Sequence, residues 1–364
     1  PPPSRSRRSG LLRTAKMQYL RTTERRTFKR CRKKWDYEFV QGLLPKQRSP
    51  KLFVGEAVHI GLEAFYSRVS ATDAMEDFFQ AHITAVNYDR LDEEQRTSLN
   101  ADMDLARGIV QHYCRWAKDN DDFDVHGAEL YAEVPVNKSL TVTLRLDGVI
   151  EDANGIWLLE HKTTSGIDTE AGWLELDDQA STYCWAYDQL IAGNGKIRIG
   201  GKMVNPDGYW LPNKPAAGML YNFLLKQVPH PPIRNKDGSL SVASSNLTCT
   251  PEDYEAALKE GPGVYDAKYE NFLERLRAKK WFHRLKVYRS AVEMEKYGAQ
   301  IKVEHNEMEL VRLHPELRYR NPTKDCLWDC PFNTICKGEL DGLDMDFTKD
   351  ELFVKEEQLD LFAD

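Results

Sequence analysis

The sequence predicts an α/β fold, a mixed β-sheet flanked by helices and enlarged by helical elaborations. Three observations carry that prediction. Thr143 to Lys162, TLRLDGVIEDANGIWLLEHK, reads as two short strands rich in Val, Ile, Leu and Trp around an Asp-Ala-Asn-Gly turn. Gly218 to Lys226, GMLYNFLLK, is apolar enough to be a central strand. Outside these runs, apolar residues recur at helical spacing, as in Val54, Val58, Leu62 and Phe65.

At 364 residues the chain can bury one large core or two modest ones. Its 29% charged and 41% hydrophobic residues are those of an ordinary soluble globular protein. It has no apolar run of about 18 residues and no signal-peptide pattern, so no membrane role is expected. Seven cysteines without regular spacing do not describe a secreted disulfide scaffold, and a reducing, cytoplasmic setting is expected. The net charge of −7 hides an asymmetry, because residues 1–34 carry +12 and the remainder −19. A basic arm on an acidic body points to a polyanionic partner, although the first ten residues alone read as a solubilising tail.

In chain order, residues 12–40 turn helical and end in a stretch where Arg32, Lys33 and Trp35 interleave basic and aromatic character. Cys31 and Trp35 are four apart and share a face. Such a stretch can grip a phosphate backbone while stacking on bases, or can be an amphipathic surface helix. The next helix carries the stripe from Val54 to Phe65, with Glu56, His59 and Glu63 on another face. Gly55, one turn before His59, removes a side chain where something approaches closely. Residues 73–92 and 94–118 read as further helices, and Leu130 to Val136 as a strand in which Glu133 is a candidate acid. A helix is expected over 169–192, strands over 197–204 and 218–226, and loop over 229–246. Thr250-Pro-Glu-Asp opens a helix with an N-cap, a first-turn proline and two acids. Arg275 to Arg289, which includes Arg284, is a second basic-aromatic stretch able to contact phosphates, and a long helix follows to about Leu313.

The hairpin concentrates the chemistry. Residues two apart on a strand share a face, so Glu160 and Lys162 point the same way. A turn centred on Ala153/Asn154 sets Asp147 opposite Glu160, whereas one centred on Asn154/Gly155 sets it opposite Lys162. Either register gathers two carboxylates and an ammonium on a face otherwise suited to burial, which marks a candidate active site. Gln179 and Tyr183, one helical turn apart, can bond a ligand or cap a buried network.

Near the C-terminus, Cys326, Cys330 and Cys336 fall within eleven residues. A closed zinc or iron–sulfur site needs four ligands, and Cys31 is the best candidate for the fourth.

Together these pieces resemble the PD-(D/E)xK nuclease superfamily, and within it the RecB-like iron–sulfur exonucleases, a group that includes CRISPR-associated and phage-encoded members and the nuclease domain of AddB. The likeness covers about Arg21 to Cys336. His59 in Gly-Glu-Ala-Val-His fits the first motif, and Asp147 in Leu-Arg-Leu-Asp-Gly the second, with Arg145 where a small residue is usual. Glu160-His-Lys162 fits E-x-K, Gln179 to Tyr183 fits Q-x-x-x-Y, and Cys31 with the C-terminal trio fits the split cluster. The spacing within the trio departs from the commoner pattern, with three residues rather than two between its first pair of cysteines.

The resemblance implies a restriction-endonuclease-like core with a C-terminal iron–sulfur region. It implies a nuclease core over 21–230 containing a helical insertion at about 73–118. A basic flexible arm over 1–20 precedes the core. A loop and helical region over 231–320, a cysteine segment over 321–340 and an acidic tail over 341–364 follow it. It further implies Mg²⁺ or Mn²⁺ held by His59, Asp147, Glu160 and the carbonyl of His161. Lys162 would orient water or offset phosphorane charge, Gln179 and Tyr183 would position the strand, and Arg32, Lys33, Trp35, Arg284 and Arg289 would contact DNA. A [4Fe–4S] cluster would sit on Cys31, Cys326, Cys330 and Cys336 as a structural staple. The expected activity is a DNA exonuclease on single strands or ends, with recombination or CRISPR-type protein partners. An endonuclease or nickase, or a non-catalytic DNA-binding iron–sulfur module, are the alternatives. Oligomeric state, polarity and pathway are not legible in the sequence.

Overall fold

A computed structural model describes residues 17–46, 50–206, 211–260 and 266–355. The strands are β1 (Gln18–Arg21), β2 (Leu43–Pro45), β3 (Asp124–Pro135), β4 (Leu140–Asp152), β5 (Gly155–Thr164), β6 (Lys196–Ile199), β7 (Lys202–Val204), β8 (Ala216–Leu225), β9 (Phe282–Tyr288) and β10 (Phe353–Lys355). The helices are α1 (Thr22–Arg30), α2 (Arg32–Trp35), α3 (Pro50–Tyr66), α4 (Ala71–Ala85), α5 (Glu93–Asn120), α6 (Ile167–Ala171), α7 (Asp178–Ile191), α8 (Pro251–Lys259), α9 (Ala267–Ala278), α10 (Ala291–Leu313), α11 (Asn333–Leu340) and α12 (Asp346–Leu352).

One mixed sheet runs in the order β7-β6-β3-β4-β5-β8-β9. β5 and β8 are parallel, joined by a crossover through α6 and α7, and the remaining neighbours along that path are antiparallel. Period-two alternation on β5 divides the core between the two faces of the sheet. Ile156 and Leu158 pack with Ala180, Tyr183 and Tyr187 of α7 and with Tyr297 and Ile301 of α10. Trp157 and Leu159 pack instead with Val58 and Leu62 of α3, Phe79 of α4 and Val110 and Tyr113 of α5. Each large apolar side chain so buried contributes about 1.5–3 kcal/mol by leaving water. The same alternation sends Glu160 and Lys162 toward α7 and His161 toward α3 and α5.

Helices α8 and α9 form a small core of their own around Tyr254, Phe272 and Leu276. Thr250 caps α8 as its sequence predicts, accepting from the Asp253 backbone N–H. The helix expected over 169–192 is broken, because Asp177 stops the chain and caps a fresh helix, α7, by accepting from the Gln179 N–H.

Three other expectations change. The strand expected over 197–204 is two antiparallel strands, β6 and β7, turning at Gly200 and Gly201. The stretch 12–40 is not one helix. Gln18 to Arg21 pair in parallel with Leu140 to Thr143, and Cys31 sits in extended conformation between α1 and α2. The basic-aromatic run 275–289 ends as edge strand β9, whose hydrogen bonds go to β8. Most of the proposed basic arm (residues 1–16) and the tail beyond Lys355 lie outside the described residues.

Candidate active site

The hairpin turn consists of Ala153 and Asn154 alone, since Asp152 pairs with Gly155 and Gly148 with Leu159. Extending that register sets Asp147 opposite Glu160, the first of the two alternatives. The ladder stops at Gly148, however, and the same edge of β4 is paired with β1 only over Leu140 to Thr143. β4 and β5 therefore part at Asp147. In that fork the His161 backbone N–H donates to Asp147 Oδ2 at 2.7 Å.

α3 lays His59 over the fork. A Cβ added at Gly55 would stand 3.4 Å from Thr163 Oγ1, so the glycine permits the helix to lie against the end of β5. His59 Nδ1 is then 3.4 Å from Asp147 Oδ2. The third member of this group is Glu129 on β3. Among the described residues, His59, Glu129 and Asp147 are the one set of such ligands whose donor atoms all lie within 4.8 Å of one another. Glu160 stands beside this trio rather than within it, its Oε1 held 2.5 Å from Lys162 Nζ.

Sequence reasoning missed Glu129 and singled out Glu133 instead. Glu133 lies further along β3, opposite Thr143 and Lys196, and accepts from Tyr131. Glu129 has φ of +49°, a left-handed conformation costly for a glutamate, and that kink falls where its carboxylate enters the site. Its side chain is only 7% exposed and forms an ion pair with Arg145, which also reaches Glu63 at 3.6 Å. Arg145 thus offsets an acid that the sequence pattern alone does not reveal.

The charges are strongly coupled. Burial pushes the His59 imidazole down, but Asp147 and Glu160 outweigh it and hold it up at about 9. Burial opposes ionisation of Asp147, yet His59 and the His161 N–H bring it down to about 2. Burial, with the Asp147 charge, lifts Glu129 to about 7. Glu160 is raised by burial and by Asp147, against the pull of Lys162. Carboxylates this crowded match a site that receives a cation.

Lys162 bridges two elements. Its ammonium donates to Glu160 and, at 3.0 Å, to Gln179 Oε1 on α7. Tyr183, one turn on, is buried, and burial together with the Glu160 charge holds its phenol well above the ordinary range. The His161 ring faces the other way. It accepts from Asn222 Nδ2 at 2.9 Å and stacks on Tyr66, while burial depresses it to about 3. Its imidazole is a neutral packing group, which leaves its backbone to serve the site.

The five residues expected to grip DNA have other work. Trp35 is completely buried and its indole N–H donates to Glu24, so it offers no stacking face. Arg32 pairs with Glu307 and lies over Tyr319, and Lys33 pairs with Glu339. Arg284 is tied to Asp121 and the Asn120 carbonyl, and Arg289 to Ser181 and the Asp177 carbonyl.

The cysteine segment returns to the N-terminal helices. Asn321 N–H donates to Cys31 Sγ at 3.4 Å, Asn321 Nδ2 to the Arg30 carbonyl, and Arg30 pairs with Asp329 at 2.6 Å. Cys31 also accepts from Lys34 N–H, Cys326 from Thr323 N–H, and Cys336 from Arg320 Nε. All seven cysteines are free thiols.

No helix among the described residues is long and apolar enough to cross a membrane. No curated protein matches the chain. The family model of the PD-(D/E)XK nuclease superfamily matches residues 22–337, from the start of α1 into α11. That span takes in His59, Glu129, Asp147, the Glu160-His161-Lys162 strand end and Gln179, and the chain belongs to the PD-(D/E)XK nuclease superfamily.

Proposed function

We propose that this protein is a metal-dependent DNA exonuclease acting on single strands or ends in bacterial or phage recombination or repair. Family membership implies a metal-dependent nuclease with DNA as its substrate. The observation that carries the proposal is the convergence of His59, Glu129 and Asp147 beside a lysine held between Glu160 and Gln179.

The donors fit a divalent cation, with carboxylate oxygens suited to Mg²⁺ and an imidazole that accommodates Mn²⁺. Asp147, Glu129 and His59 would hold it, assisted by Glu160 and the His161 carbonyl. When bound, it supplies positive charge to the scissile phosphate and acidity to the attacking water. Lys162 contributes a fixed ammonium. Anchored by Gln179, it can orient that water or offset charge developing on the phosphate. Tyr183, kept protonated by burial, can donate to a phosphate oxygen.

The four cysteines are read as ligands of a [4Fe–4S] cluster. Support comes from the N–H groups that donate to Cys31, Cys326 and Cys336 and would orient these sulfurs as ligands, and from Cys31 meeting the C-terminal segment. The cluster would serve as a crosslink between the chain ends.

The experiment is cleavage of linear and circular single-stranded DNA, each end labelled separately, with Mg²⁺ or Mn²⁺. Stepwise loss from one end of the linear strand alone supports the reading. Cutting of the circle would make the protein an endonuclease. Equal degradation by wild type and Glu160→Ala would remove the assignment.

A further inference from the structure

α1 and α2 turn Phe28 and Trp35 into the core and leave Arg26, Lys29, Arg30 and Lys34 along a groove of about 570 Å³. Its opposite wall is the segment leading into α7, where Trp173 is 43% and Leu176 89% exposed. Two of the four cations are committed. Lys29 pairs with Asp178 and Glu304, each at 2.7 Å, and Arg30 pairs with Asp329. Arg26 and Lys34 have no carboxylate partner among the described residues.

Three acids also line the groove, and two of them are spent internally. Asp177 is buried, capping α7 and accepting from Tyr221. Asp178 is neutralised by Arg25 and Lys29. With Glu38 as the third, the open surface keeps a cationic excess beside an accessible indole.

The groove lies next to the catalytic centre, because Asp178 in its wall is followed by Gln179, the residue holding Lys162. The groove also borders the cysteine segment, since Arg30 in its lining pairs with Asp329, the residue before Cys330. We infer, resting on the nuclease reading, that this groove is the track of a single DNA strand between the active site and the cysteine segment. Arg26 and Lys34 would bind phosphates, and Trp173 would stack on an unpaired base. The indole decides for a single strand, because duplex bases present no free face to stack upon.

The test is anisotropy of a fluorescent oligothymidylate titrated with the full chain in EDTA, where binding is read without cleavage. R26E/K34E is expected to weaken binding at least tenfold. It should also lower the slope of log affinity against log salt by about 1.4, near 0.7 for each phosphate no longer neutralised. Trp173→Ala is expected to weaken it by roughly 5- to 150-fold, the range for one stacked base. A 5-iodouracil oligonucleotide should crosslink to the peptide carrying Trp173. Wild-type affinity and salt slope in both variants, or equal losses on a blunt duplex, would overturn the track. Failure of the nuclease reading is a separate result, the absence of metal-dependent cleavage by a wild-type protein that still binds the strand.

Discussion

The His161 backbone N–H and Asp147 Oδ2 meet at 2.7 Å in the fork where β4 and β5 separate. That bond ties the central carboxylate to the strand carrying Glu160 and Lys162, so backbone geometry aligns both halves of the site. Asp147→Asn keeps an oxygen able to accept this bond while deleting the charge. Cleavage is expected to fall by at least about a thousandfold, in line with the loss of a metal-ion contribution, with an unchanged circular dichroism spectrum. Retention of near-wild-type rates would show that Asp147 is structural only.

Glu129 crowds Asp147 with a further carboxylate. Glu129→Gln is therefore expected to raise the melting temperature by a few degrees in EDTA, the usual stability–function exchange at a strained site. The ion pair it loses is with an arginine that is 64% exposed, which is worth little. Calorimetric titration with Mn²⁺ should show weaker binding than wild type. A lower melting temperature with unaltered Mn²⁺ affinity would make Glu129 merely the partner of Arg145.

Anaerobically purified protein is expected to be brown, with about four irons per chain if the cluster is of the four-iron type. Cys330→Ala should lose the visible absorbance and much of its solubility, because the link between chain ends goes with it. Colourless protein carrying stoichiometric zinc would overturn the cluster.

Arg25 is fully buried and joins α1 to α7 and α10, bonding Thr182, Tyr297 and Glu304 and lying 3.6 Å from Asp178. Arg25→Met is expected to cost about 3–5 kcal/mol, the scale of breaking a buried pair, measured by urea denaturation. Burial opposes ionisation of Asp178, yet Arg25 and Lys29 hold its carboxyl below the ordinary 3.8. A depressed acid stabilises the fold above its unfolded value and loses that contribution as pH falls below about 4. The variant should therefore show a shallower loss of stability than wild type on acidification through that range.

The sequence made the hairpin and its charges legible because a two-residue turn and period-two alternation leave few registers. His59 was legible only through the motif that it completes. Glu129 was hidden, since its inward direction depends on a left-handed kink that alternation along β3 does not encode. β1 was hidden for another reason. A four-residue strand gains its identity from a parallel partner far along the chain, here Leu140 to Thr143. Trp35 shows the limit of composition. Helical spacing groups residues on a face, but which face meets the core is settled by the sheet beneath, and here the indole turned inward.

The family match begins at Thr22 and ends at Lys337, and the sheets extend past both limits. A fragment trimmed to that match would lose β1, stripping Leu140 to Thr143 of their partner along one edge of β4. It would also lose β10, which pairs β2, and with it Phe353, which stacks on Phe332 between Cys330 and Cys336. Unpaired strand edges recruit other chains. A fragment cut to the match would thus expose edges that β1 and β10 cover, and fragments for expression should run at least from Gln18 to Lys355.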